Sequence, residues 1–137
     1  MALNWTGLAA ALATFIGIWW GHVAVRKIEA KLVDIRPAMV VCIVLGLGMW
    51  TGAALTDWAP LAAALGILGM TLLWDAYEFH RQEKRVKIGH APANPDNPRH
   101  ARFLAEYPTA TTLDLLDRDP LGRPVGAEEA ARLVADH

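Results

Sequence analysis

An all-α integral membrane protein with three transmembrane helices is the fold class this sequence predicts, and three observations predict it. Charge is segregated: residues 1–25 contain no Asp, Glu, Lys or Arg, and residues 37–74 contain only Asp57. A soluble amphipathic helix carries charge on every turn or two, whereas long uncharged windows broken by short charged ones belong to chains that cross hydrocarbon. Each apolar stretch also comes near the roughly 20 residues a crossing needs. The tryptophans, finally, sit where interfacial belts would place them. Trp5, Trp50 and Trp58 fall at one end of the spans, and Trp19, Trp20 and Trp74, with Tyr77, near the other.

The first span is expected at about 5–25. No Lys or Arg precedes it, while Arg26 and Lys27 follow it, the reverse of a cleaved signal peptide. Next comes RKIEAKLVDIRP, with Ile28, Leu32 and Ile35 at i, i+4 and i+7. This segment either extends helix one or lies as a short interfacial helix before Pro37, and a solvated connector is the simpler alternative. The second span is expected at about 38–55 and the third at about 59–79, continuing to about 88. Thr56-Asp57-Trp58-Ala59-Pro60 makes the turn between them. Thr56 or Asp57 is suited to cap the third helix, and Pro60 to its first turn.

Lys and Arg give a sidedness. Arg26, Lys27, Lys31 and Arg36 in the first loop, and Arg81, Lys84, Arg85 and Lys87 after the third span, share one side of a three-span chain. The opposite side has none. The positive-inside rule then places the N-terminus outside and the C-terminus in the cytoplasm of a bacterial inner membrane. Arg26, Lys27, Arg81, Lys84, Arg85 and Lys87 are expected to anchor on anionic headgroups.

HAPANPDNPRH carries Pro92, Pro95 and Pro98, and 90–98 reads as an extended, semi-rigid linker. In the tail, 99–137, RHARFLAEY is expected to be a short helix before Pro108. DPLGRP reads as a turn and GAEEAARLVADH as a small helix, with Glu128 and Glu129 in its first turn. This tail is too small for its own core. With Leu113, Leu115 and Leu116 it either docks on a partner or frays.

Small residues recur at helical spacing. Gly17 and Gly21 lie on helix one, Gly48 and Gly52 form GxxxG on helix two, and Gly66 and Gly69 lie on helix three. Lipid supplies no hydrophobic force between helices, so close backbone approach through such residues drives association. Three helices share a limited interior, and several small-residue faces argue for a further contact with another membrane subunit or a second copy.

The ionisable residues nearest the hydrocarbon are the candidate polar site. Asp75 lies about 9 Å along the helix from Arg81, and His22 stands at similar depth, four residues before Arg26. His22, Asp75 and Glu78 can form a proton relay, or a weak metal site, facing a cytoplasmic vestibule. The competing reading is a helix leaving the bilayer with solvated charges. No complete metal-ligand set and no cofactor motif is evident, and Cys42, alone in an apolar run, reads as a packing residue. The chain also lacks a Walker loop, GxSxG, HExxH, Rossmann fingerprint and CxxC pair, so no enzyme is expected. A net charge of −1 argues against nucleic-acid binding.

The N-W-T-G-L opening, the T-F-I-G of helix one with His22 shortly after, and W-x3-E-x3-Q-E-K-R-V-x2-G-x2-P-x-N-P together resemble a small bacterial membrane-protein family known only as a domain of unknown function. The last motif is carried here by Trp74, Glu78, Gln82, Glu83, Lys84, Arg85, Val86, Gly89, Pro92, Asn94 and Pro95. The resemblance covers roughly residues 3–98 and implies three helices, with 99–137 as an extension. It implies no activity.

The expected function is that of a non-enzymatic accessory or scaffold subunit acting through helix packing and its tail. The alternative is a small oligomeric channel or transporter with His22, Asp75 and Glu78 on a polar or proton path.

Overall fold

The computed structural model describes residues 2–114 and, beyond them, only Glu128, Arg132 and Ala135, each helical. The expected turn at DPLGRP and the contacts of Leu115 and Leu116 lie outside the described residues. So does the expected final helix, apart from those three positions.

Four helices follow in order: α1 Trp5–Lys31, α2 Arg36–Leu55, α3 Ala59–Lys87 and α4 Pro98–Glu106. There is no strand among the described residues. The first three are long and apolar enough to cross a membrane. At 1.5 Å per residue, α2 is about 30 Å long and just spans the hydrocarbon, while α1 and α3 reach about 40 Å or more. Both overshoot at the end where α1 stops, α2 starts and α3 stops, called here the charged end. The exposed side chains agree with a membrane setting: Phe15, Trp20, Val44 and Leu55 all stand far out of the fold. That much exposed apolar surface is compatible with lipid as solvent and not with water.

Asn4 begins α1 by accepting from the Gly7 N–H at 2.9 Å. The RKIEAK segment extends α1, which ends only at Leu32, where the backbone becomes extended. Asp34 Oδ1 then accepts from Arg36 N at 2.9 Å, and Pro37 sits in the first turn of α2. At the other turn, neither Thr56 nor Asp57 caps α3. Trp58 occupies the N-cap position without a side-chain cap bond, and Thr56 Oγ1 accepts from Trp58 N at 3.3 Å, tightening the turn itself. Pro60 stands in the first turn of α3 as expected.

α3 is the central element. It packs on α1 along one side and on α2 along the other, and α1 and α2 form no comparable interface of their own. They converge at the charged end, where Val25, Ile35 and Phe79 make a small core with Ala38, Met39 and Cys42 around it. The spans therefore form a layer rather than a closed bundle.

Glycines set the spacing within that layer. Gly46 and Gly69 mark the closest approach of α2 and α3: a Cβ on Gly46 would lie 2.9 Å from the Gly69 carbonyl oxygen, and one on Gly69 would lie 2.9 Å from Gly46 O and 2.7 Å from Trp50 Cδ1. Trp50 Nε1 also donates across this seam to Gly66 O at 3.1 Å. Gly17 and Gly21 do the same for α1 and α3, the first admitting Thr71 and the second Asp75. Gly52 meets only Leu65, while Gly48 and Gly66 face open space. So the expected packing glycines divide. Gly17, Gly21, Gly52 and Gly69 turn their Cα hydrogens to neighbours inside the chain, whereas Gly48 and Gly66 turn theirs to open space, Gly66 joining the seam only through its carbonyl.

This division is testable. Gly69→Ala is expected to destabilise the fold by about 1–3 kcal/mol, because the obstructing atoms belong partly to backbone that cannot swing aside. Gly48→Ala should be neutral or slightly stabilising, by up to about 1 kcal/mol, from helix propensity alone. Unfolding in mixed micelles with increasing denaturing detergent separates the two outcomes.

Candidate functional site

Two constellations of polar side chains stand out, one beside the hydrocarbon and one at the charged end. The first is the groove between α1 and α3. It has a volume of about 480 Å³ and brings His22, Asp75 and Glu78 together at one end of a trough whose walls include Ile18, Ile67, Met70 and Trp74. The three residues singled out in the sequence thus line one cavity. They are not equivalent. Glu78 turns to cations on its own helix, with Arg85 Nη1 at 2.7 Å from Oε1 and Arg81 Nη1 at 3.5 Å from Oε2. Asp75 lies against the Gly21 backbone, and a Cβ there would sit 2.7 Å from its Oδ1. His22 lines the groove from the α1 side. The hydroxyls nearby are already engaged: Thr14 donates to Ala10 O and Thr71 to Ile67 O.

The expected headgroup anchors are largely engaged within the chain. Arg26 pairs with Asp114 at 3.0 Å, Arg81 and Arg85 with Glu78, and Lys87 with Glu83. Lys27 and Lys84 form no ion pair among the described residues.

The second constellation was not legible as a site. Gly89, at φ 73°, ends α3 in the left-handed conformation. His90 N donates back to Arg85 O at 2.8 Å, a helix-ending pattern that favours glycine. A Cβ at Gly89 would lie 2.1 Å from Thr109 O, so close backbone approach demands glycine as well. The chain reversed by this turn runs back to the end of α1. Residues 90–98, read as a linker, are docked there, with Ala91, Ala93 and Asn97 buried.

Docking follows from hydrogen-bond accounting. A helix end leaves carbonyls without intrahelical partners. Asn94 Nδ2 donates to Ala30 O at 3.0 Å. Asn97 Nδ2 donates to Ala30 O at 3.1 Å and to Leu32 O at 2.9 Å, and Arg99 Nη2 donates to Glu29 O at 2.8 Å. Asn97 Oδ1 meanwhile accepts from Arg99 N at 3.0 Å and so caps the start of α4. One amide closes two helices.

Charge is buried in the same place. Glu29 and His100 are completely buried and Arg99 nearly so. Glu29 Oε1 receives Arg99 Nη2 at 2.8 Å and His100 Nε2 at 3.0 Å. His100 Nδ1 accepts from the Asn94 N–H at 3.0 Å, which assigns the proton to Nε2 and makes the ring a donor to Glu29. Arg99 Nη1 reaches Glu83 Oε2 at 2.8 Å. Partial burial works to raise the Glu83 carboxyl, but Lys87 and Arg99 outweigh it and hold it below its ordinary value of 4.5. The α4 side chains finish the packing: Phe103 joins Val86, Ala91 and Ala93 in a small core, and Lys87 Nζ lies 4.6 Å from its ring centroid.

Three outcomes are expected from this geometry. Arg99→Met leaves Glu29 as a buried, under-paired carboxylate and should cost about 3–5 kcal/mol. Asn97→Asp keeps the α4 cap but removes both donors to α1, so it should be no better tolerated than Asn97→Ala, at about 1–3 kcal/mol each. Because the folded Glu83 carboxyl is depressed, its contribution is complete above its ordinary value of 4.5 and fades as pH falls below it through the folded value. Protease protection of residues 90–110, followed for each variant and against pH, reads all three.

Comparison with known proteins adds the family and nothing on activity. No curated protein and no solved structure matches the chain. One family model matches residues 4–97, which takes in the three spans and the stretch that docks on α1 through Asn97. The chain therefore belongs to the family described as Domain of unknown function (DUF4491).

Proposed function

We propose that this protein is a non-enzymatic accessory or scaffold subunit of the bacterial inner membrane, with its N-terminus outside and its C-terminus in the cytoplasm. The observation that carries the reading is the open layer. α1 and α2 each have α3 as their one extensive helix neighbour, and α2 buries only Gly46. Such helices keep most of their surface for lipid or for another subunit. Gly48 and Gly66, where an added Cβ would meet nothing within 4 Å, are small residues of the kind that admit a partner's backbone. The cluster of Lys and Arg at the charged end supports the orientation. Docking of 90–106 there gives a rigid surface for a cytoplasmic contact.

A second reading rests on one specific observation, that His22, Asp75 and Glu78 share a groove. On it the chain oligomerises and passes an ion or proton. The engagement of Glu78 by Arg81 and Arg85, and the apolar walls beyond Asp75, weigh against a continuous polar path.

Purification from native membranes in a gentle detergent, with intact-complex mass spectrometry, is expected to return a stoichiometric larger membrane subunit. Gly48→Leu with Gly66→Leu should release that subunit without lowering the unfolding midpoint of the isolated chain. Recovery of a homo-oligomer alone would count against the accessory role. Proton flux into liposomes that is abolished by Asp75→Asn would then establish the second reading.

A further inference from the structure

Asp75 and Glu78 are the two carboxylates of the groove, and only Glu78 is held by cations of the chain. Asp75 is only 8 % exposed, yet among the described residues no hydrogen-bond donor or ion-pair partner reaches its carboxylate. Its position denies it a partner. The residues at i+3 and i+4 are Glu78 and Phe79, and Arg81 and Arg85 are held by Glu78. Across the interface it faces the bare backbone of Gly21, and His22 of the same helix acts on it only through space, without a hydrogen bond or ion pair. A nearly buried carboxylate beside hydrocarbon is costly unless something neutralises it.

We propose that the α1–α3 groove is a binding site for a lipophilic ammonium, an amine-bearing amphiphile. Its nitrogen sits on Asp75 and its chain lies along Ile18, Ile67 and Met70. The volume of about 480 Å³ is that of a small-ligand site, and the lining is apolar apart from its charged end. A hard metal ion asks for several oxygen ligands, whereas no group of three or more His, Cys, Asp and Glu among the described residues is placed to hold one. The Asp75 carboxylate, in a groove that Trp74 also lines, suits an ammonium, which gains from a charge-assisted hydrogen bond and from an aromatic face in the same cavity. Gly21 is then specifically required, because any side chain there would push into Asp75.

Two sources carry this chemistry, the bilayer's own aminophospholipid and a free long-chain amine. A neighbouring hollow lined by His22, Lys27, the Asp114-paired Arg26 and the Arg99-paired Glu29 offers Lys27 to a phosphate and would favour the phospholipid. The proposal does not depend on whether the chain has a partner subunit.

The test uses the full chain in a maltoside detergent, whose head carries no amine, with bound molecules counted by native mass spectrometry. Tetradecylamine is expected to bind at one equivalent and more tightly than tetradecanol. Asp75→Asn, which keeps the shape and removes a buried charge, should abolish that preference, a loss of about tenfold or more in amine affinity. Ile18→Trp, at an exposed wall position, should weaken amine and alcohol alike. Displacement of tetradecylamine by phosphatidylethanolamine but not by phosphatidylglycerol identifies the bilayer as the source, and displacement by neither identifies a free amine. An amine preference that survives Asp75→Asn, or no preference at all, overturns the proposal. So does a co-purified subunit whose Lys or Arg crosslinks to position 75 and shuts out the amine.

Discussion

The charged end of α1 is the point on which the rest of the structure depends. A 27-residue helix that outruns the hydrocarbon must end somewhere, and its last carbonyls need donors. The donors come from Asn94, Asn97 and Arg99, more than sixty residues later in the chain. This choice has consequences in both directions. It pins 90–98 against α1, starts α4 at Asn97, and sets Phe103 over Val86 on α3. Gly89 makes it possible by turning the chain within a few residues of the end of α3. Remove the donors and α4 has neither a cap nor a floor.

Three carboxylates of the long helices are buried, Glu29, Asp75 and Glu78, and the first two are treated oppositely. Glu29 lies near the end of α1, completely buried, and receives an arginine and a histidine from the docked segment. Such a pair contributes modestly to net stability, because desolvation offsets most of the attraction, but removing one member is severe. It therefore works more as a register device than as a source of stability: the tail fits in one position only. Asp75, several turns up α3 towards the hydrocarbon, receives no hydrogen bond or ion pair among the described residues and has only His22 acting on it through space. The chain could have placed a basic residue at position 78 or 79 and has Glu78 and Phe79 instead.

The spans were legible because lipid imposes a simple rule, that charge is absent wherever the chain is in hydrocarbon. Hence the three helices, the Pro60 start and the extension of α3 beyond position 79 could be read directly. The groove was partly legible: His22, Asp75 and Glu78 were picked out by depth alone, since depth along a helix is arithmetic. That Arg85 would claim Glu78 and leave Asp75 needed the side-chain geometry. The docked segment was not legible. Three prolines within seven residues read as a stiff connector, and prolines do stiffen it. The available signal was the pair of Asn-Pro steps, Asn94-Pro95 and Asn97-Pro98, with Glu29 set between lysines on the facing element. Asparagine beside proline commonly serves a local turn, and nothing local says that its amide will cap a helix sixty-odd residues away.

The layer geometry connects these features to function. In a closed three-helix bundle every small residue would be used inside, and a groove between two helices would be roofed by the third. Here α2 sits on the far side of α3, so the α1–α3 groove stays open along its length. The docked segment closes only the charged end, where it holds α1 in place against α3 through Glu29, Arg99 and Glu83. Asp75 therefore sits where the fixed end gives way to the open trough. A group entering from the lipid side meets apolar walls first and Asp75, the carboxylate not held by an arginine, last. That ordering selects for molecules with one cationic end, and it needs no moving part.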